Sequence, residues 1–109
     1  RMGEVYWGVY STAADGSMTL EGEERVCPPD AIPRVPAGDA CAVGSGWQAH
    51  REALLATLPE APAAIFPGML PQAQDVAQQA VLIHAREGGL PAEQALPVYL
   101  RDNVASKPR

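Results

Sequence analysis

The sequence predicts an α/β domain that begins with a β-hairpin and continues with alternating strands and helices. Near the amino terminus, apolar side chains alternate with others along an extended stretch, which is typical of a half-buried strand. The pair Asp15-Gly16 lies between two extended stretches and predicts a tight hairpin turn. Two helical patterns follow, each after a short apolar run, and this alternation is typical of α/β folds.

Two strands are predicted to form the hairpin. In the first, RMGEVYWGVY, the side chains of Val5, Trp7 and Val9 fall on one face. The return strand is MTLEGEERVC, residues 18–27, and Gly22 within it predicts a bulge. The residues of the return strand that we expect to face inward are Met18, Leu20 and Val26.

The next elements are a strand, a glycine turn and a helix. A proline-rich segment after residue 27 allows no more than a short helical turn. The run ACAV, residues 40–43, predicts a buried strand with Cys41 in the core. Gly44-Ser45-Gly46 predicts a tight turn. From Trp47, the spacing of apolar residues predicts a helix of about three turns that ends at Pro59.

A second strand and a longer helix complete the alternation. The run AAIF, residues 63–66, predicts another buried strand. The clearest helix covers about residues 71–87 and ends at Gly88-Gly89. Its apolar stripe consists of Ala73, Val76, Ala77, Ala80, Val81 and Ile83. A short helical turn and an extended PVYL segment follow.

Composition restricts the classes of function. A chain of 109 residues with 47% hydrophobic residues is typical of one folded domain. The net charge of −5 has the wrong sign for a protein that binds the phosphate backbone of nucleic acids by itself. No apolar run approaches the ~20 residues that span a bilayer. With Cys27 and Cys41 interpreted as reduced thiols, we expect a cytoplasmic protein without membrane contact.

The residues themselves indicate no active site. His50 and His84 are far apart in sequence and lack the spacing of metal ligands, so we expect no metal site. Ser45, in VGSGW, lacks the Gly-x-Ser-x-Gly order of a nucleophile elbow. The Gly44–Gly46 turn lacks the lysine of a phosphate-binding loop. We therefore expect no catalytic residue, and we interpret Gly44, Ser45 and Gly46 as a degenerate nucleotide-loop position.

Three stretches of the chain resemble a known family. In order, RMGEVYWGVY, AVGSGWQA and LPVYLRDNVA resemble the second lobe of the TsaB (YeaZ) family, which is related to the M22 peptidase or glycoprotease group. The resemblance implies a ribonuclease H-like lobe of the actin-like, sugar kinase and Hsp70 superfamily, with a mixed sheet and flanking helices. Residues 1–109 would then be one carboxy-terminal lobe of a two-lobe protein. The family-like positions are Arg1, Glu4, Tyr6, Trp7, Gly44, Gly46, Trp47, Pro97, Tyr99 and Arg101.

The resemblance also implies a function. TsaB-like proteins are non-catalytic scaffold subunits that support the catalytic subunit TsaD, with the ATPase TsaE, in forming threonylcarbamoyladenosine at position 37 of tRNAs that read ANN codons. It implies no cofactor in this lobe, contact with tRNA only through the complex, and a homodimer as a further state of the intact protein. One alternative is a glycoprotease or M22-type metallopeptidase-like hydrolase, and another is a stand-alone nucleotide-binding module. If a strand before Arg1 is missing, the Val5–Trp7–Val9 strand should lack one neighbour or pair with another molecule.

Overall fold

Four short strands come first, and strands and helices then alternate along the rest of the described chain. The structure, a computed structural model, describes residues 3–100. Within that range the elements are the strands β1 (Val5–Trp7), β2 (Tyr10–Thr12), β3 (Met18–Leu20), β4 (Arg25–Cys27), β5 (Cys41–Val43) and β6 (Ala64–Phe66), and the helices α1 (Gly46–Ala49), α2 (Arg51–Thr57) and α3 (Ala73–Glu87). Single 3₁₀ turns cover Pro29–Ala31 and Ala92–Gln94. The chain is therefore a small mixed α/β domain, as the sequence predicts.

The first four strands form two antiparallel ladders along one hairpin, with an interruption between them. β2 pairs with β3 across the predicted Asp-Gly turn, and β1 pairs with β4. Between these two pairs, Gly8 and Val9 on one arm face residues 21–24 on the other. Gly22, with a φ of +79°, lies in this wider segment, so the bulge predicted there is present and divides each predicted strand in two.

β5 and β6 pair in parallel, with α1 and α2 in the connection between them. Parallel strands need such a crossover, which agrees with the strand–helix–strand pattern of the sequence. The prediction that both strands are fully buried is wrong. In β5 only Ala42 is buried, and Cys41 and Val43 are exposed, because a single face of the strand is covered. The expectation that Cys41 belongs to the core is therefore also wrong.

The described strands do not join into the predicted single mixed sheet. They form three separate two-stranded ladders: β1 with β4, β2 with β3, and β5 with β6. Among residues 3–100, β1 therefore has one neighbouring strand, β4.

One small core lies between the β1–β4 ladder and the α1–α2 segment. Its buried residues are Val5, Ile32, Ala37, Ala42, Trp47, Leu54 and Leu58, with Trp7, Cys27, Val35, Leu55 and Ile65 packed against them. The inward face predicted for the first strand is confirmed by Val5 and Trp7. The inward orientation predicted for Met18 and Leu20 is wrong, because these side chains lie on the distal β2–β3 ladder and are 45% and 39% exposed.

The helices differ from their predictions in two ways. The predicted three-turn helix is divided at His50, whose φ of −131° and ψ of +31° leave the helical region. No glycine or proline marks this break in the sequence. α3 begins at Ala73, two residues after the predicted start, and ends at Glu87 as predicted, before Gly88, which has a φ of +76°. Its apolar stripe is not buried, since no residue of α3 is. No helix among residues 3–100 is long and apolar enough to cross a membrane.

Candidate functional site

The glycine turn after β5 is the strongest candidate that the sequence offers. Gly44 has a φ of +115°, a conformation that side chains disfavour. Ser45 already has helical dihedral angles and its side chain makes no capping hydrogen bond. Gly46 begins α1, and a methyl group added there would lie 3.3 Å from Cγ1 of Val5. The turn is thus shaped by one backbone position that favours glycine and by one close approach to β1.

Backbone N–H groups at the start of the turn and directly after it donate to backbone carbonyls. The Gly44 N–H donates to the carbonyl of Phe66 at 3.2 Å, which extends the β5–β6 ladder. The Trp47 N–H donates to the Gly44 carbonyl at 3.2 Å, and the Gln48 N–H donates to the Ser45 carbonyl at 3.0 Å. A phosphate-binding turn instead directs such N–H groups at its ligand, at the start of a substantial helix. α1 has four residues, so the geometry fits a structural turn better than a nucleotide cradle.

Two tryptophans connect this turn to the hairpin. The Trp7 and Trp47 rings lie 6.2 Å apart between centroids, with their planes tilted by 45°. Trp47 is buried, and the Nε1–H of Trp7 is buried without a hydrogen-bond acceptor among the described residues. Such a buried donor is uncommon, because leaving it unsatisfied costs about 1–3 kcal/mol.

A cavity of about 1210 Å³ brings most of the family-like positions together. It is lined by β1 with the segment after it, by β5 with the glycine turn, and by residues 69–71. The family-like residues in its lining are Glu4, Tyr6, Trp7, Gly44, Gly46 and Trp47. Pro97 and Tyr99 do not line it, although the neighbouring Leu100 does. Arg1 and Arg101 lie outside the described residues.

The solvent side of the hairpin carries two side-chain hydrogen bonds. The Tyr10 hydroxyl donates to the Glu24 carboxylate. This bond, together with partial burial and the negative charge of Glu24, raises the pKa of Tyr10 to about 12. The Ser11 hydroxyl donates to the Glu21 carboxylate at 2.5 Å. Both bonds span the segment around the bulge and connect its two arms.

The hairpin turn is also attached to α3. The Arg86 guanidinium donates to the hydroxyl oxygen of Ser17 at 2.9 Å and lies 3.9 Å from the Asp15 carboxylate. The Gln79 side chain accepts from the Met18 N–H at 2.9 Å. Hydrogen bonds from the Ser17 side chain and backbone lower the pKa of Asp15, and Arg86 adds to this effect. Sequence reasoning found the turn but missed this contact, because nothing local relates residues 15–18 to a helix more than 60 residues away.

The remaining polar candidates do not converge. Among residues 3–100 no three His, Cys, Asp or Glu side chains form a group that could hold a metal ion. His50 lies between α1 and α2, and His84 lies in α3. Cys27 and Cys41 are free thiols, and burial raises the pKa of Cys27.

Known α/β proteins of one family are similar to this chain in sequence and in structure. It is 35% identical over 112 residues to the tRNA threonylcarbamoyladenosine biosynthesis protein TsaB of Escherichia coli K12, covering 98% of this chain and 47% of that protein. A crystal structure of a Pseudomonas aeruginosa protein described as similar to peptidase YeaZ matches with a TM-score of 0.74 and 42% identity, over 93% of this chain and 45% of that one. A second structure, YeaZ from P. aeruginosa, matches with a TM-score of 0.72 and 42% identity, over 91% of this chain and 45% of that one. No family model matches the chain.

The chain belongs to the TsaB/YeaZ family, since sequence and structure agree over nearly its whole length. It spans about half the length of these relatives.

Proposed function

We propose that the chain is the carboxy-terminal lobe of a TsaB-type protein and acts as a non-catalytic scaffold in the formation of threonylcarbamoyladenosine at position 37 of tRNAs that read ANN codons. The observation that carries this proposal is the match to E. coli TsaB over 98% of the chain. In this role the intact protein supports a TsaD-like catalytic subunit together with a TsaE-like ATPase in the cytoplasm. The tRNA is contacted through the complex.

The site supports a scaffold role more than a catalytic one. The N–H groups of Gly44, Trp47 and Gln48 donate to backbone carbonyls, so these three groups are not directed at a nucleotide phosphate. The two histidines of the described range lie on different elements. We therefore propose no cofactor for this lobe. From the resemblance to the TsaB (YeaZ) family, we also propose a ribonuclease H-like lobe of the actin-like superfamily.

A chimera tests the proposal directly. The aligned half of E. coli TsaB is replaced by residues 1–109 of this chain, and the chimera is added to tRNA, threonine, bicarbonate, ATP and the other pathway proteins. Modified adenosine is then measured by mass spectrometry of the digested tRNA. We expect the chimera to restore modification, whereas the 109-residue chain alone does not, because the other half carries the partner contacts.

Two matched variants of the chimera test whether a family-like residue contributes to tRNA modification. Tyr99 and Leu90 are exposed by 74% and 71%, so neither substitution disturbs the core. In the chimera, Tyr99→Ala is expected to lower modification and Leu90→Ala, outside the family-like stretches, to leave it unchanged. A chimera that has native-like circular dichroism and yields no modified adenosine would overturn the proposed function.

A further inference from the structure

The helix α3 attaches to the rest of the chain through its polar side. None of its 15 residues is buried, and Gln79 and Leu82 are its half-buried ones. With Arg86, they recur at intervals of three and four residues and therefore share one face of the helix. The predicted apolar stripe lies outside this face and is exposed throughout. The hydrophobic core therefore does not hold α3 in place.

Side-chain hydrogen bonds connect the polar face of α3 to the hairpin turn at two levels. Near the middle of the helix, Nε2 of Gln79 donates to the Gly16 carbonyl at 3.4 Å, and Oε1 of Gln79 accepts from the Met18 N–H at 2.9 Å. About two helical turns further on, Nη1 of Arg86 donates to the hydroxyl oxygen of Ser17 at 2.9 Å. We call these bonds the turn–α3 contact.

Ser17 is the fixed point of this contact. It is fully buried although it lies beside a hairpin turn. Its hydroxyl and its N–H donate to the Asp15 carboxylate at 2.6 and 2.9 Å, so the hydroxyl oxygen has lone pairs free to accept from Arg86. The Arg86 and Asp15 side chains are both more than a third exposed. Because water competes for such exposed groups, the contact stabilises α3 less than burial of an apolar face would.

An open groove also separates α3 from the glycine turn. The groove has a volume of about 550 Å³ and is lined by Asp75, Val76 and Gln79 of α3 and by Val43 and Gly44 beside them. There is thus space along the first half of the helix in place of close packing. Two glycines follow the helix directly, and positions at the ends of elements commonly absorb the dihedral changes of a hinge motion.

We propose that α3 is a strap that opens as a unit: the turn–α3 contact breaks and the helix leaves the hairpin turn, while the core around Trp47 and Leu54 stays folded. Opening exposes the buried Ser17 hydroxyl and widens access to the glycine turn. A detached helix of 15 residues is marginal in water, so the backbone hydrogen bonds of α3 break in the open state and its amides exchange with solvent.

Hydrogen exchange of the folded 109-residue chain tests this proposal with a matched pair of variants. Gln79→Ala removes the two bonds near the middle of α3, whereas Gln78→Ala makes the same change at an exposed neighbour. We expect the amides of residues 77–86 to exchange about fivefold faster in Gln79→Ala than in Gln78→Ala, the factor that corresponds to about 1 kcal/mol at 25 °C. The amides of α2 should exchange equally in the two variants.

A second pair of variants distinguishes opening of the whole helix from fraying of its end. Arg86→Met removes the bond to Ser17, and Arg51→Met is the control at an exposed position of α2. If α3 opens as a unit, Arg86→Met accelerates exchange of residues 77–80 as much as that of residues 83–86 relative to this control. Acceleration confined to the last turn of α3 overturns the proposal. This pair also keeps the test decisive if Gln79→Ala fails to fold.

The parent chain provides a further check. Its α3 amides should exchange faster than those of α2, because the strap opens without unfolding of the core. Equal protection of the two helices overturns the proposal, and so does equal exchange of α3 in Gln79→Ala and Gln78→Ala. It is also overturned if Gln79→Ala or Arg86→Met accelerates α2 as much as α3, which would show that the contact stabilises the whole fold rather than the strap.

Discussion

Substitution of Gly44 by alanine tests whether the glycine turn is a structural feature. Nothing lies within 4 Å of the position that the new methyl group would take, so the change causes no collision. The φ of +115° is nevertheless unfavourable for alanine, and backbone strain of this kind costs about 1–3 kcal/mol. Alanine also loses less backbone entropy on folding, which returns about 0.4–1 kcal/mol. We expect a net destabilisation of about 1–2 kcal/mol.

The chain cannot readily avoid this cost by relaxing the turn. Gly44 donates to the Phe66 carbonyl and accepts from the Trp47 N–H, both at 3.2 Å. A rotation of Gly44 toward negative φ breaks these bonds, each of which contributes about 1 kcal/mol. Keeping the positive φ with alanine and rotating Gly44 out of it therefore lower the free energy of unfolding by similar amounts.

Gly68→Ala is the matched control. This glycine also has nothing within 4 Å of its added methyl position, but it lacks a positive φ. We expect its stability to stay within about 0.5 kcal/mol of the parent chain. Urea unfolding followed by tryptophan fluorescence should show a midpoint for Gly44→Ala that is lower by roughly 0.5–1.5 M. Equal midpoints for the two variants would refute the argument from backbone conformation.

Three further predictions concern other parts of the fold. Tyr10→Phe should cost about 0.5–1 kcal/mol below pH 10, a modest value because Tyr10 is 45% exposed. The folded-state pKa of Tyr10 is raised to about 12, so the parent chain loses this stabilisation as the pH rises from 10 to 12. The free energies of unfolding of the parent chain and of Tyr10→Phe should therefore converge in that range. A difference that stays constant with pH would exclude the hydrogen bond to Glu24 as its cause. Arg86→Met should accelerate hydrogen exchange in the hairpin turn and leave that of β5 unchanged, and equal exchange in the turn would show that the contact with α3 does not hold it. Leu54→Ala should cost about 2–5 kcal/mol in urea unfolding because Leu54 is 1% exposed, and the half-buried Leu55→Ala should cost less; the reverse order would contradict the assigned core.

The sequence by itself determined the local elements and the family. The alternation around Val5 and Trp7, the Asp-Gly turn and the bulge at Gly22 each follow from dihedral preferences and side-chain periodicity within a few residues. The end of α3 at Gly88 has the same origin. The motif stretches predicted the TsaB/YeaZ family, and the comparisons confirm it.

Only the tertiary structure decided which apolar surfaces are buried and which strands pair. ACAV and the α3 stripe look like core in the sequence, yet Cys41, Val43 and all of α3 lie outside it. Local periodicity shows that a face is apolar, but burial depends on whether another element covers that face, which is a non-local property. For the same reason, the separate ladders of β1 and β5, and the contact of Arg86 with the hairpin turn, became visible only in three dimensions.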